Sequence, residues 1–282
     1  MKRILMFSLT FMPIAAFGEE VKQFGHLRAS YSEDNLSLNE ALIGLSKDYD
    51  AHYSVLASLK VTPEKAYLYE GYVKANELLG HDVAKVGLQK LPYSSLTGVD
   101  TAWLGSQFIT QAGVLPERDG AVVYGYNFGV VNVAASVRND VPVDKHQTYG
   151  LTVNGSIVPW LQGVASAEHS DATKDNTYVS GLLAKGFGAT GLLEYALQDT
   201  KQGSDKASWG LTGTYAFSDK HGAYAQYVSG DKAWQDRGFV RTYAVGPYTS
   251  LNQNIRVALV GGAKEYVEET KSNLAIRVEA SL

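Results

Sequence analysis

Gly186-Phe-Gly188-Ala-Thr-Gly191 has the G-x-G-x-x-G spacing with which a backbone can cradle a pyrophosphate. That chemistry needs a helix N-terminus directly after the glycines. Here both flanks alternate apolar and polar residues, so the stretch reads as a hairpin turn. His169 with Asp171, and His81 with Asp82, offer the residue types of a general base and its orienting carboxylate. No serine stands at a spacing that completes either pair, and the six histidines are scattered without metal-ligand spacing. Asn154-Gly-Ser156 is a formal glycosylation triplet inside an alternating segment, where it carries no meaning. The absence of cysteine excludes thiol catalysis, cysteine metal sites and disulfides. Nothing in these motifs requires a cofactor or a metal.

A second group of residues acts collectively. Arg28, Glu70, Lys74, Lys85, Arg138, Arg256 and Arg277 fall on the polar side of alternating segments, as do His26, Lys60, Gln89, Glu194 and Glu279. Asp100, Glu117, Arg118 and Asp119 belong to an insert between two such segments. Spread over a free surface, these groups would only be solvated. Gathered around an aqueous passage, charges of both signs orient water and sort solutes by size and polarity.

The elements that must position them are strands. In Tyr149-Gly-Leu151-Thr-Val153-Asn-Gly155-Ser-Ile157 the odd positions are apolar or glycine, and the even ones small or polar. Trp209 to Phe217 and Val131 to Arg138 repeat the pattern. Successive strand side chains point to opposite faces, so each segment has a greasy side and a polar side. The spacing predicts sixteen strands, near 22–32, 37–47, 50–60, 66–76, 82–90, 120–128, 130–138, 147–157, 160–169, 176–186, 190–198, 207–217, 221–229, 238–248, 254–262 and 272–282. In 160–169, 176–186, 221–229 and 238–248 neither face is clearly apolar. Links alternate between tight turns, such as Lys47 to Asp50 and Phe187-Gly188-Ala189, and longer charged segments, such as Asn139 to Lys145 and Asp231 to Arg237. Tyr53, Tyr67, Tyr124, Tyr126, Phe128, Tyr149, Tyr195, Trp209, Tyr215 and Phe217 all fall on the apolar side, near segment ends. Aromatic rings suit a lipid–water boundary. The fold expected is all-β, an antiparallel up-and-down transmembrane β-barrel of about sixteen strands.

The chain opens with Lys2 and Arg3, an uncharged stretch from Ile4 to Phe17, and a small-residue exit at Ala16-Phe-Gly18. This is the pattern of a secretory signal peptide over residues 1–18, leaving 19–282 as a single barrel domain. The 29 acidic residues exceed the 25 basic ones, and the leader removes two basic residues more. An acidic exported chain is a poor partner for nucleic acid. At the other end, Leu274, Ile276, Val278, Ala280 and Leu282 alternate with polar or small residues to the final position. Backbone groups in a bilayer must all be paired, so this strand is expected to close the sheet against the first.

Between Lys90 and Gly120 lie some thirty residues with Trp103, Leu104, Phe108 and Ile109 beside the four charged positions named above. The segment is too apolar for a freely solvated loop. "KAYLYEGYVKA", "VAKVGLQKLPYSS" and "RDGAVVYGYNFGVVN", in that order around the insert, resemble the corresponding segments of bacterial outer-membrane porins, both the general and the phosphate-selective branch. The resemblance covers roughly residues 64–138. It implies a water-filled channel in the outer membrane for passive diffusion of small hydrophilic solutes and ions, without enzymatic activity. It also implies a third loop folded into the lumen, bringing Asp100, Glu117, Arg118 and Asp119 to the constriction. Membrane lipid is the implied surrounding, and a homotrimer the implied assembly. Two features differ from the family pattern: Leu282 stands where an aromatic residue is usual, and the loop at Thr62-Pro63-Glu64 is too short to latch over a neighbour. An outer-membrane barrel enzyme and a structural or adhesive barrel are the alternative readings.

Overall fold

A computed structural model of the chain describes residues 21–32, 35–92, 118–139, 146–201, 203, 205–230, 241–252, 255–265 and 270–281. The signal-peptide reading, Asp100, Glu117, most of the insert and Leu282 lie outside the described residues.

The sixteen strands are β1 (Val21–Ser32), β2 (Asn35–Asp48), β3 (Tyr53–Val61), β4 (Ala66–Asn76), β5 (Asp82–Lys90), β6 (Arg118–Asn127), β7 (Val131–Asn139) and β8 (Gln147–Val158), followed by β9 (Leu161–Ser170), β10 (Asn176–Gly186), β11 (Ala189–Asp199), β12 (Lys206–Ala216), β13 (His221–Gly230), β14 (Arg241–Ser250), β15 (Ile255–Glu265) and β16 (Thr270–Ser281). Each pairs antiparallel with its chain neighbours, and β16 pairs with β1 from Tyr31↔Ile276 to His26↔Ser281. The sheet is a closed barrel, so no strand edge is left exposed. The links at one end are short, from two residues at 187–188 to five at 77–81. The other end carries the longer ones, at 91–117, 140–146 and 231–240.

Period-two sequence becomes period-two burial. Along β12, Ser208, Gly210 and Thr212 are buried while Trp209 and Leu211 are exposed. The exposed face carries Leu59, Val73, Val86, Leu151, Leu193, Leu211, Val245 and Leu274. An outward aliphatic surface of this extent is the surface a bilayer covers. Rings bound it. Tyr149, Tyr178, Tyr195, Trp209 and Tyr243 lie toward the long-loop end, and Tyr53, Phe128, Trp160, Tyr215 and Phe217 toward the turn end.

One strand boundary and one of the three register shifts, which lie in β1–β2, β3–β4 and β8–β9, change the expected reading. The strand expected from residue 50 begins at Tyr53, because Asp50 Oδ1 accepts the backbone N–H groups of His52 (2.7 Å) and Tyr53 (2.8 Å). Those two donors hold the Asp50 carboxyl below its ordinary range and fix a side-chain-capped turn. In β4 the register shifts between Ser58↔Glu70 and Leu59↔Leu68, leaving Tyr69 as an extra residue. This bulge changes the parity of the strand. Tyr67, expected on the apolar face, instead pairs with Lys60 on the inner face.

Candidate pore lining

Paired residues in a sheet share a face, so the registers carry each inner position around the whole barrel. By that path Arg28, Lys60, Glu70, Lys74, Lys85, Gln89, Asp119, Arg138, Glu194, Arg256, Arg277 and Glu279 all occupy inner positions. Arg118 pairs with Lys90, one step from Gln89↔Asp119, and so belongs by register to the other face.

The charges are unevenly distributed. From β15 through β16 and β1 to β5 the inner positions carry most of the wall's charge, with Arg256, Arg277, Arg28, Lys60, Lys74 and Lys85 outnumbering Glu279, Glu40 and Glu70. Lys74 and Lys85 are direct cross-strand partners. Across the barrel, the mid-strand inner positions of β8 to β13 are neutral or acidic, with Glu168 and Glu194 both about 5 % exposed. Hydrogen bonds tie this side together. Thr152 and Ser166 hydroxyls lie 2.9 Å apart, Gln226 Nε2 donates to Thr212 Oγ1 at 3.2 Å, and Asn132 Nδ2 to Asn154 Oδ1 at 3.2 Å.

Between the two sectors stands an ionic triad. Arg138 donates through one guanidinium nitrogen to Asp119 and through another to Glu168, both at 3.1 Å. Asp119 is the second residue of β6, where the insert rejoins the wall. Gly150 makes room for the triad, since a Cβ there would collide with Ser136 Oγ and press on Glu168 Oε1. Next to it, Gln89 Nε2 donates to Ala121 O at 2.9 Å.

The inner face also holds two apolar clusters that the alternation did not reveal. Val164, Leu183 and Leu192 form one; Tyr224, Ala258 and Val260 form the other, with Ala244 and Tyr248 packed on it. They occupy β9 to β11 and β13 to β15, and four of these strands are those whose faces could not be told apart by polarity. The signal was present as apolar residues on both parities.

The catalytic-looking pairs have other occupations. His169 Nε2 is 3.7 Å from Asp171 Oδ1, but its Nδ1 contacts Asn176 Oδ1 at 2.9 Å and Lys174 shares the carboxylate at 3.4 Å, in the link after β9. Asp82 accepts the N–H of Leu79 at 2.7 Å, which closes the 77–81 turn. Gly186 to Gly191 is the β10–β11 hairpin, with Gly188 at φ 75°. No group of three metal-ligating side chains occurs among the described residues.

No family model matches the sequence, and no curated protein matches it. Solved structures do match the fold. Outer-membrane-expressed OmpT of Vibrio cholerae superposes with a TM-score of 0.69 at 14 % identity, over 93 % of this chain and 97 % of that one. Salmonella typhi OmpF in complex with daunomycin gives 0.69 at 11 % identity, over 93 % and 97 %. A mutant of the Rh. blastica porin gives 0.65 at 14 % identity, over 93 % and all of that chain. The chain has the fold of the outer-membrane porins, a closed antiparallel barrel of sixteen up-and-down strands.

Proposed function

We propose that this protein is an outer-membrane porin, a water-filled channel for passive diffusion of small hydrophilic solutes and ions, exported through a cleaved leader at residues 1–18. The observation that carries the reading is an inner wall with one highly charged, net basic side and one mostly neutral side whose acids are recessed. A net basic side facing a nearly neutral one sets up a field across an aqueous lumen, and a wall serving only structure has no need of one. In this reading the insert from Leu91 to Asp119 folds into the lumen, with Trp103, Leu104 and Phe108 against the wall. Asp100, Glu117 and Asp119 then stand at the narrowest point, and Arg118, on the other face of β6, does not.

A self-associating barrel has its own supporting observation. At the long-loop end the outward rings are on β8 and β10 to β14, whereas described outward residues there on β15, β16, β3 and β4, such as Ala263, Glu265, Ser272, Val61 and Leu68, include no ring. Lipid-facing arcs carry aromatic girdles, and an arc covered by protein does not need one. One matching structure is a trimer form of Vibrio cholerae OmpT. A homotrimer built on the ring-poor side fits both facts.

Planar-bilayer recording of the purified protein tests the channel. Stepwise ohmic openings are expected. Silent bilayers from a correctly assembled, heat-modifiable preparation would overturn the reading in favour of a barrel enzyme or an adhesive barrel.

A further inference from the structure

The bulge in β4 gathers lysines and tyrosines on one strip of the inner wall. Tyr69, the extra residue, has its ring centre 6.4 Å from that of Tyr67 and 4.8 Å from Lys60 Nζ. Lys65, in the link at the rim, lies 5.2 Å from the centre of Tyr67. Deeper along the strand, Lys85 Nζ lies 5.1 Å from the centre of Tyr72, beside its partner Lys74. The alternate positions, Leu59, Leu68, Val73 and Val86, form the outward face, so the strip belongs to the lumen.

We propose that this strip is a binding track for flat organic anions, of which an aromatic carboxylate is the simplest. The assignment rests on the channel reading and names the solute class it favours. Bulges re-aim side chains, and here the result is three rings descending from the rim along β4. From Tyr67 to Lys74 the strip covers about 20 Å of strand. Gly87 stands opposite Tyr72, at φ 131°, where a Cβ would collide with Gly71 O. The directly opposed β5 position therefore places no side chain against the Tyr72 ring, which has Leu56 as its partner on β3 and the Lys85 ammonium over it.

The chemistry narrows the solute. Rings alone would hold any flat apolar molecule, and ammonium groups alone any anion. Here Lys60, Lys65 and Lys85 each hold an ammonium over a ring, 4.8, 5.2 and 5.1 Å from its centre. That separation suits a solute whose negative group is attached directly to a flat ring: the carboxylate pairs with the lysine and the ring stacks on the tyrosine. Glu70, the only acid in β4, repels anions, and the four lysines outweigh it. Several such stations in series allow a solute to move along the wall without being trapped at one.

Block of single-channel current tests the track, with sodium benzoate, inorganic phosphate and benzyl alcohol as probes. Benzoate is expected to block at lower concentration than phosphate, and benzyl alcohol not to block. Tyr69→Leu with Tyr72→Leu should raise the half-blocking benzoate concentration about tenfold while leaving phosphate unchanged. The paired Phe substitutions should keep benzoate block, and Lys60→Gln should weaken it. If the Leu pair does not assemble, Lys60→Gln and the Phe pair decide the matter. Equal block by benzoate and phosphate in the unaltered protein, or benzoate block indifferent to Lys60→Gln, would overturn the track. Channels that open normally yet ignore benzoate sink this inference alone; a preparation with no channels sinks the porin reading with it.

Discussion

Arg138 Nη1 donates to Asp119 Oδ2 at 3.1 Å, joining the start of β6 to β7, and the same guanidinium holds Glu168 on β9. The two carboxylates are not equivalent. The Glu168 side chain is 4 % exposed and that of Asp119 is 32 % exposed. Arg138→Met leaves Glu168 buried without its guanidinium and should destabilise the barrel by about 3 kcal/mol. Asp119→Asn keeps a hydrogen-bond acceptor in a wetter place and should cost about 1 kcal/mol or less. Urea unfolding followed by tryptophan fluorescence separates them. Equal losses would show that the triad is not organised around the buried acid.

Gly246 marks another point where the wall tolerates no change. The β14–β15 pairing is interrupted at Gly246 and Pro247, between Val245↔Gly261 and Tyr248↔Ala258, and a Cβ on Gly246 would collide with the Leu259 carbonyl oxygen. That neighbour is backbone and cannot rotate away. Gly246→Ala should therefore destabilise by about 3 kcal/mol. Gly191→Ala is the control, since nothing lies within 4 Å of its added methyl. Heat-modifiable migration on gels should be lost at a lower temperature for the first variant and unchanged for the second.

The barrel was legible because lipid and water impose period two on nearly every segment. Trp209 to Ala216 shows it in one reading, and the closing pairing of β16 with β1 follows from the alternation of Leu274, Ile276 and Val278. Three things were not legible. Val164, Leu183 and Leu192 make the inner wall apolar where the outer wall is apolar too, so polarity could not tell the faces apart. Tyr67 and Tyr69 depend on a bulge, and no local residue pattern announces an extra residue in an otherwise regular strand. The Asp119–Arg138–Glu168 triad joins positions up to 49 residues apart through strand order, which alternation alone does not supply at side-chain precision.

Accessibility to a water-soluble thiol reagent should separate the two faces in this cysteine-free chain. Single cysteines at Leu151, Leu211 and Leu274 belong to the outer face, and at Asn132, Lys60 and Lys74 to the inner. Thr212 is an inner residue but only 3 % exposed, so it is a poor reporter despite its position. In protein reconstituted in lipid, the inner set should label and the outer set should not. Labelling of Leu211 and Leu274 as fast as Lys74 would contradict a lipid-covered outer face. Leu211→Arg should cost about 2–4 kcal/mol if that position lies near the bilayer midplane.

The net basic side sets the expected ion preference. Lys74 and Lys85 are cross-strand partners, and both are half-buried on the inner wall. Two like charges so placed raise the local potential and draw anions toward β4 and β5. Opposite them Glu194 is 5 % exposed, too recessed to offset that field in the lumen water as a free carboxylate would. Lys74→Gln with Lys85→Gln should therefore move the zero-current potential toward cation preference in a salt gradient. Removing the charge while keeping a long polar side chain leaves the bore nearly unchanged, so conductance in concentrated salt should hold. The shift should grow as salt is diluted, because the screening length lengthens from about 3 Å at 1 M to about 30 Å at 0.01 M. Glu194→Gln should move the potential much less, since a recessed charge is coupled mainly to the wall. An unchanged zero-current potential in the double lysine variant at low salt would place the current path away from β4 and β5, and would sever the link between the net basic side and selectivity.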